Sequence, residues 1–301
     1  MDLYLMTGFL GAGKTTTIKE LLTIFKDKKV ALIINEFGKT GVDGQILTDV
    51  TANVFEVAGG SIFCTCKISH FETVLADIVA QEPDIILVET SGLSDPSSAY
   101  QILAQDKFAH ITYKGCICLV DALYFKKVIH TARVSKKQVR ISDLIVINKI
   151  DLATTEQLAQ VKQLIYELNP FAVIEQTSYG KIDSTWLTNL CLSKKPFNEA
   201  NIRDITLISY ELTISESCTK EELTKLLESF IEDTYRVKGF LKLCGKNFLI
   251  NCVGDSIIID AYHGKVYENK IIVLSGGGLP IATSLKRTEE MYCNTLLKIS
   301  K

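Results

Sequence analysis

Residues 8–15 read Gly8-Phe9-Leu10-Gly11-Ala12-Gly13-Lys14-Thr15, and this stretch decides the fold. Before it, Leu3-Tyr4-Leu5-Met6 has the form of a short buried strand; after it, Thr16 to Phe25 has helical apolar spacing. The stretch is therefore a G-x-x-x-x-G-K-[ST] phosphate loop in strand–loop–helix context. Gly8, Gly11 and Gly13 let backbone N–H groups turn inward around a β-phosphate, with Ala12 and Thr16 completing the cradle. Lys14 brings positive charge to the β/γ-phosphates and Thr15 a hydroxyl for Mg²⁺, while the helix N-terminus favours an anion. A nucleoside triphosphate is the expected ligand.

Downstream, Val30 to Asn35 reads as a second buried strand, followed by Glu36-Phe37-Gly38 and a glycine-punctuated loop from Lys39 to Gly44. Segments of this kind contact the γ-phosphate and change state on hydrolysis. Glu36 and Asp43 are thus candidates to hold Mg²⁺ or orient the attacking water, the alternative being a solvated loop with incidental acids. Asn53–Val57 reads as a strand, and a helix is expected from Ser69 to Gln81, stopped by Pro83. Asp84-Ile85-Ile86-Leu87-Val88-Glu89 is an apolar run closing in an acid, as a Walker B strand does. Glu89 falls at the carboxyl end of a central strand, where open α/β sheets bind ligands, and is assigned to Mg²⁺. Gly92, in the following turn, offers its N–H to the γ-phosphate.

Two more strands follow, Gly115 to Val120 closing at Asp121, and Leu144 to Ile147 closing at Asn148-Lys149-Ile150-Asp151. That tetrad is N-K-x-D. The Asp151 carboxylate accepts both guanine N1–H and N2–H₂, a donor pair that adenine does not present. Such a site rejects an analogue lacking the pair by roughly 10⁴-fold. Asn148 is expected at the base edge and against the phosphate loop, and the Lys149 stem stacked on the ring. A helix from Thr155 to Leu168 and a strand from Ala172 to Thr177 then deliver Ser178-Tyr179-Gly180, where the Ser178 backbone reaches guanine O6. Five or six strands alternating with helices over the first 190 residues predict a doubly wound, mainly parallel α/β sheet.

Composition bounds the rest. The chain has 301 residues, comfortable for two domains, with 47% hydrophobic and 23% charged residues. A net charge of −2 argues against a dedicated nucleic-acid binder. No apolar run approaches a membrane span, and the sequence runs straight into its first strand, so a cytoplasmic protein without membrane association is expected. Nine cysteines in that compartment read as core thiols, metal ligands or redox groups rather than disulfides. Cys116 and Cys118 share one face of a strand and read as core. His110, His130 and His263 are isolated. Residues 1–190 are thus expected as the phosphate-loop domain, 191–204 as a linker and 205–301 as a small α+β domain. In the last, strands are expected at 206–213, 236–243, 248–253, 256–261 and 271–274, with helices at 220–233 and 281–298.

Taken together, the phosphate loop, Asn35-Glu36-Phe37-Gly38, Glu89-Thr90-Ser91-Gly92-Leu93 with Asp95-Pro96, Val120-Asp121-Ala122 and Asn148-Lys149-Ile150-Asp151 resemble the CobW family of P-loop GTPases. That branch includes the nickel-enzyme chaperones HypB and UreG. Tyr235 to Leu241 resembles the opening of the CobW C-terminal domain, so the likeness spans nearly the whole chain. It implies a slow GTPase that handles or inserts a metal or helps assemble a metallocofactor enzyme, with a GTP-dependent dimer or a client complex. Members of this family carry Gly-Cys-x-Cys-Cys between the second strand and Walker B. Here Gly60 and Cys64 match, but Ser61 and Phe63 stand at the other two cysteine positions and Cys66 is additional.

Cys64-x-Cys66-x-x-x-His70 offers a replacement set of two thiolates and an imidazole, suited to zinc, cobalt or nickel; two core thiols and a surface histidine are the alternative. Three functions compete. The first is a Mg²⁺-dependent GTPase delivering metal to a metalloenzyme client. The second is a metal-independent GTPase switch gating a corrinoid or other metalloenzyme. The third, a small-molecule kinase, is disfavoured by N-K-x-D and by the lack of an acceptor pocket in the sequence.

Overall fold

The computed structural model describes residues 1–34, 54–56, 68–92, 98–103, 105–188, 190, 207–253, 257–276 and 279–301. Two compact units emerge, Met1–Asn198 and Glu199–Lys301. The expected 191–204 linker lies outside the described residues, as do Glu36, Asp43, Cys64 and Cys66.

In the first unit the strands are β1 (Asp2–Gly8), β2 (Val30–Ile34), β3 (Val54–Glu56), β4 (Ile85–Glu89), β5 (Thr112–Asp121), β6 (Leu144–Asn148) and β7 (Val173–Gln176). They form one parallel sheet in the order β3-β2-β4-β1-β5-β6-β7. Seven strands thus replace the five or six expected. The central strands read as unbroken apolar runs because both faces are covered. On one face, Tyr4, Met6, Ile117, Leu119 and Val146 pack with Ile18, Leu21 and Leu22 of α1 (Lys14–Ile24). On the other, Cys118, Val120, Ile145 and Ile147 pack with Phe125 and Ile129 of α4 (Phe125–Thr131), Val139 of α5 (Arg133–Ile141), and Val161 and Ile165 of α6 (Thr155–Leu168). Two elements lie between, α2 (Ile68–Val79) and α3 (Ser98–Leu103), and a short α7 (Ser184–Thr188) follows β7. Cys116 and Cys118 are buried core thiols, as their shared strand face predicts.

α6 has the boundaries that its sequence predicts, because both ends are written locally. Thr154 caps it by accepting from Gln157 N at 3.2 Å, while the Gln157 side chain accepts from Thr154 N at 2.8 Å, a reciprocal capping box. At the other end Asn169 turns the chain, its Nδ2 donating to the carbonyls of Val139 (2.7 Å) and Ser142 (2.8 Å).

The second unit is a six-stranded antiparallel sheet in the order β11-β10-β9-β12-β8-β13. Its strands are β8 (Leu207–Ile214), β9 (Arg236–Leu243), β10 (Lys246–Val253), β11 (Ile259–Ala261), β12 (Lys270–Gly276) and β13 (Leu296–Ser300). Val237, Leu241, Ile250, Ile271 and Val273 form one core with Leu223, Leu226 and Leu227 of α8 (Lys220–Glu228) and Ile281 and Leu285 of α9 (Ile281–Met291). Two expected helices are shorter than their apolar spacing implies. α8 ends at Glu228 and is followed by a 3₁₀ turn at Ile231–Asp233. α9 ends at Met291, and the residues expected to prolong it form β13, which pairs with β8. Tyr292 turns the chain there, and the ladder of β8 supplies partners that a longer helix would leave unused. No described helix is long and apolar enough to cross a membrane.

Candidate nucleotide site at the carboxyl edge of the parallel sheet

The strand ends converge. β1 delivers the loop; β4 brings Glu89, in register with Met6 on one side and Ile34 on the other; β5 and β6 bring Asp121 and Asn148, which are paired in register. Lys14 is buried and its Nζ donates to Gly8 O (3.0 Å) and Phe9 O (3.4 Å), so the ammonium is stretched across the loop from which it springs. α1 begins at Lys14 and has no acid in its first turn, leaving the helix N-terminus electropositive. Thr15 is half-buried and Thr16 exposed at this end, with Gly11 and Ala12 in the loop above. Gly13, at φ +104°, caps the helix in left-handed conformation. A methyl group there would stand 2.3 Å from Asn148 Nδ2.

That contact reflects how Asn148 is used. Its Nδ2 donates to Ala12 O (3.0 Å), and its Oδ1 accepts from Lys149 N (2.9 Å) and Gly180 N (3.0 Å). One buried amide thus ties the phosphate loop to the turn after β7, where Ser178 sits half-buried. Lys149 adopts φ +63°, and its Nζ reaches Asp121 Oδ2 at 2.6 Å. Asp121 is fixed in turn, its Oδ1 accepting from Leu123 N (2.9 Å) and Tyr124 N (3.2 Å). Asp151 is exposed in a 3₁₀ turn (Ile150–Leu152) and its carboxylate makes no hydrogen bond among the described residues. Leu152 and Tyr179 are large apolar side chains 61% and 71% exposed on the segments that follow β6 and β7.

Gly92 lies against the loop: a methyl there would stand 2.7 Å from Leu10 N. Its carbonyl accepts from Gln138 Nε2 of α5 at 3.2 Å. Neither Asp121 as the anchor of Lys149 nor Gln138 as the holder of Gly92 follows from sequence alone. The acid closing a strand beside N-K-x-D is the signal for the first; nothing local marks the second. Glu89 is buried at the end of β4. The structure thus brings together Gly8, Gly11, Ala12, Gly13, Lys14, Asn148 and Lys149, with Gly92 beside them. Of the expected transition-metal set only His70 is described, exposed on α2.

A parallel sheet carrying a phosphate loop after β1 and N-K-x-D after β6 defines a P-loop nucleotide-binding domain. The CobW/HypB/UreG nucleotide-binding domain matches residues 2–175, and the chain belongs to that family of P-loop GTPases. It is similar to the zinc chaperone CobW of Pseudomonas aeruginosa, at 29% identity over 83% of this chain and 80% of that protein. It is also similar to the zinc chaperone YjiA of Escherichia coli, at 27% identity over 80% and 82%. In fold it resembles the crystal structure of Zn(II)-bound YjiA GTPase from E. coli, with a TM-score of 0.67 and 21% identity over 99% of both chains.

Proposed function

We propose that this protein is a Mg²⁺-dependent cytoplasmic GTPase that couples GTP binding and hydrolysis to delivery of zinc, or a related metal such as cobalt, to a client metalloenzyme. The observation that carries the nucleotide half is the Asn148 bridge between Ala12 and Gly180, which leaves the Asp151 carboxylate free to accept guanine N1–H and N2–H₂. Lys14 and the N–H groups from Gly11 to Thr16 hold the phosphates, Gly92 reports the γ-phosphate, the Lys149 stem covers the ring, and the Ser178 backbone meets O6. The hydroxyl of Thr15 and the carboxylate of Glu89 are hard oxygen donors that fit Mg²⁺. When bound, the ion supplies charge neutralisation on the β/γ-oxygens. Glu36 or Asp43 orients the water. The sequence marks no arginine finger, so slow intrinsic turnover is expected.

The delivery half is supported by the relatives, which are named zinc chaperones, and by the Cys64, Cys66 and His70 donors. Ser61 and Phe63, standing where the family carries cysteines, favour a second reading, a GTPase switch that gates its client without carrying metal. Cobalt and zinc titrations of the reduced protein, with and without a non-hydrolysable GTP analogue, separate the two. A stoichiometric thiolate-to-cobalt absorption that the nucleotide alters and Cys64→Ser/Cys66→Ser abolishes supports delivery. No specific binding in either state overturns it and leaves the switch. GTP turnover no faster than ATP turnover overturns the guanine assignment. A GTP-dependent homodimer is part of the same proposal and is read by light scattering.

A further inference from the structure

Lys149 is held at both ends. Its backbone sits at φ +63°, a conformation that residues with a side chain rarely adopt, in the turn that follows β6. Three bonds keep it there: Lys149 N donates to Asn148 Oδ1 (2.9 Å), Ile150 N to Thr177 O (3.3 Å) and Leu152 N to Lys149 O (3.1 Å). At the far end of the side chain, Nζ donates to Asp121 Oδ2 at 2.6 Å. Backbone strain of this kind persists only where the surrounding structure over-determines it, and it clusters at ligand clamps.

The anchor is as firm as the residue it holds. Asp121 ends β5 in register with Asn148 at the end of β6, and Ala122 N carries the pairing one residue further by donating to Asn148 O at 3.0 Å. Asp121 Oδ1 accepts from Leu123 N and Tyr124 N, an arrangement that turns Oδ2 towards Lys149. The Asp121 side chain is 11% exposed and that of Lys149 33%. The ion pair is thus sheltered on its carboxylate side, while the methylene stem between the two fixed ends keeps an open face. A free lysine side chain loses much rotamer freedom when a ligand covers it. Here that loss is taken before a ligand arrives. The paired ammonium also leaves the stem itself as an apolar ledge.

We propose that Asp121 is a positioning residue for the nucleotide base: it clamps the Lys149 stem as the ledge on which the ring lies, and acts on the nucleotide only through that lysine. On the guanine reading proposed above, on which this rests, the two acids divide the work. Asp151 reads the hydrogen-bonding edge of the base, whereas the Asp121–Lys149 pair supports its face. The contribution of Asp121 therefore falls on ligands that carry a base and not on phosphates alone.

The test compares GDP with inorganic tripolyphosphate, a ligand without a base, by titration calorimetry on the full chain. Asp121→Asn keeps an oxygen for Leu123 N and Tyr124 N but removes the charge that faces the ammonium; Lys149→Met keeps an apolar stem without the ammonium. Asp121→Asn should weaken GDP binding by about three- to tenfold and leave tripolyphosphate binding within about twofold of the parent. In the Lys149→Met background the same change should weaken GDP by less than about twofold, because nothing is left to clamp. Unchanged GDP affinity in Asp121→Asn, an equal loss for tripolyphosphate, or a loss that persists undiminished in the Lys149→Met background would each overturn the clamp. Lys149→Met opens the clamp from its other end and should lose GDP affinity to a similar degree. It carries the test if Asp121→Asn folds poorly, and an unchanged affinity there overturns the proposal. A parent chain that binds tripolyphosphate but not GDP would overturn the guanine reading and the clamp together; failure of the clamp alone leaves the guanine reading standing.

Discussion

In the first unit the parallel strands end in residues that carry chemistry, Gly8, Glu89, Asp121 and Asn148, all at one edge of the sheet. In the second unit the antiparallel strands alternate direction, so their ends are split between two edges. Arg236 there is fully buried and donates to Asn251 Oδ1 at 3.2 Å, from one strand of the sheet to the next. A parallel sheet gathers every strand's carboxyl end on one side, which makes it a platform. An antiparallel sheet with helices on one face is chiefly a packing solution.

The largest expected effect that tests this contrast is on turnover. Lys14→Ala should slow GTP hydrolysis by about 10²–10³-fold, measured as phosphate release, because the buried ammonium is the loop's main fixed charge. Turnover within a few-fold of the parent would move the chemistry away from the strand ends. Next comes base recognition: Asp151→Asn should weaken GTP binding by about 10²-fold or more while the circular dichroism spectrum stays unchanged, since the side chain is exposed and unbonded. A preserved GTP affinity would remove the guanine assignment.

A matched pair of glycines sharpens the comparison through stability. Gly13 combines φ +104° with Asn148 Nδ2 only 2.3 Å from where an added methyl would sit, whereas Gly245, in the β9–β10 turn, has φ +83° and nothing within 4 Å. Urea unfolding should show Gly13→Ala costing about 3 kcal/mol, strain plus clash, and Gly245→Ala only about 1 kcal/mol, strain alone. Equal costs would mean that the phosphate loop is no tighter than an ordinary hairpin.

The smallest effect is common to both units and appears only in alkali. Burial pushes the thiols of Cys118 in the first unit and Cys252 in the second up to about 12, from an ordinary value of 9.0. A raised value means that the folded state holds its proton longer than the unfolded chain. The stabilisation is therefore complete below about pH 9 and is lost as pH rises towards 12. Unfolding midpoints measured from pH 8 to 11 should fall more steeply in the parent than in Cys118→Ala or Cys252→Ala. An unchanged slope in both variants would show that neither thiol is the source.

Much of this was legible in the sequence. Strands β1, β2, β4 and β6 and the second half of β5 are apolar runs ended by a glycine or a polar residue, and α6 has both caps written beside it. The segment 124–142 was not legible: six lysines and arginines interrupt its apolar residues, and Phe125, Ile129 and Val139 show their inward face only once α4 and α5 lie on β5. β13 was hidden because Leu296, Leu297 and Ile299 continue the apolar spacing of α9, and only pairing with β8, with a bulge between Leu296 and Lys298, makes them a strand. The loop, Asn148 and Lys149 could be named in advance because each has a local motif. The Lys149–Asp121 pair and the Gln138–Gly92 bond join segments 28 and 46 residues apart, and no local pattern encodes them.

The Asn148 bridge also bears on how such a protein can change over generations. Drift at position 148 would dismantle the phosphate loop and the base reader in one step, because a single amide braces both. Drift at position 151 touches a side chain that supports nothing else among the described residues. On the guanine assignment proposed above, a lineage can thus explore new nucleotides through one codon while the phosphate loop stays insulated from the experiment.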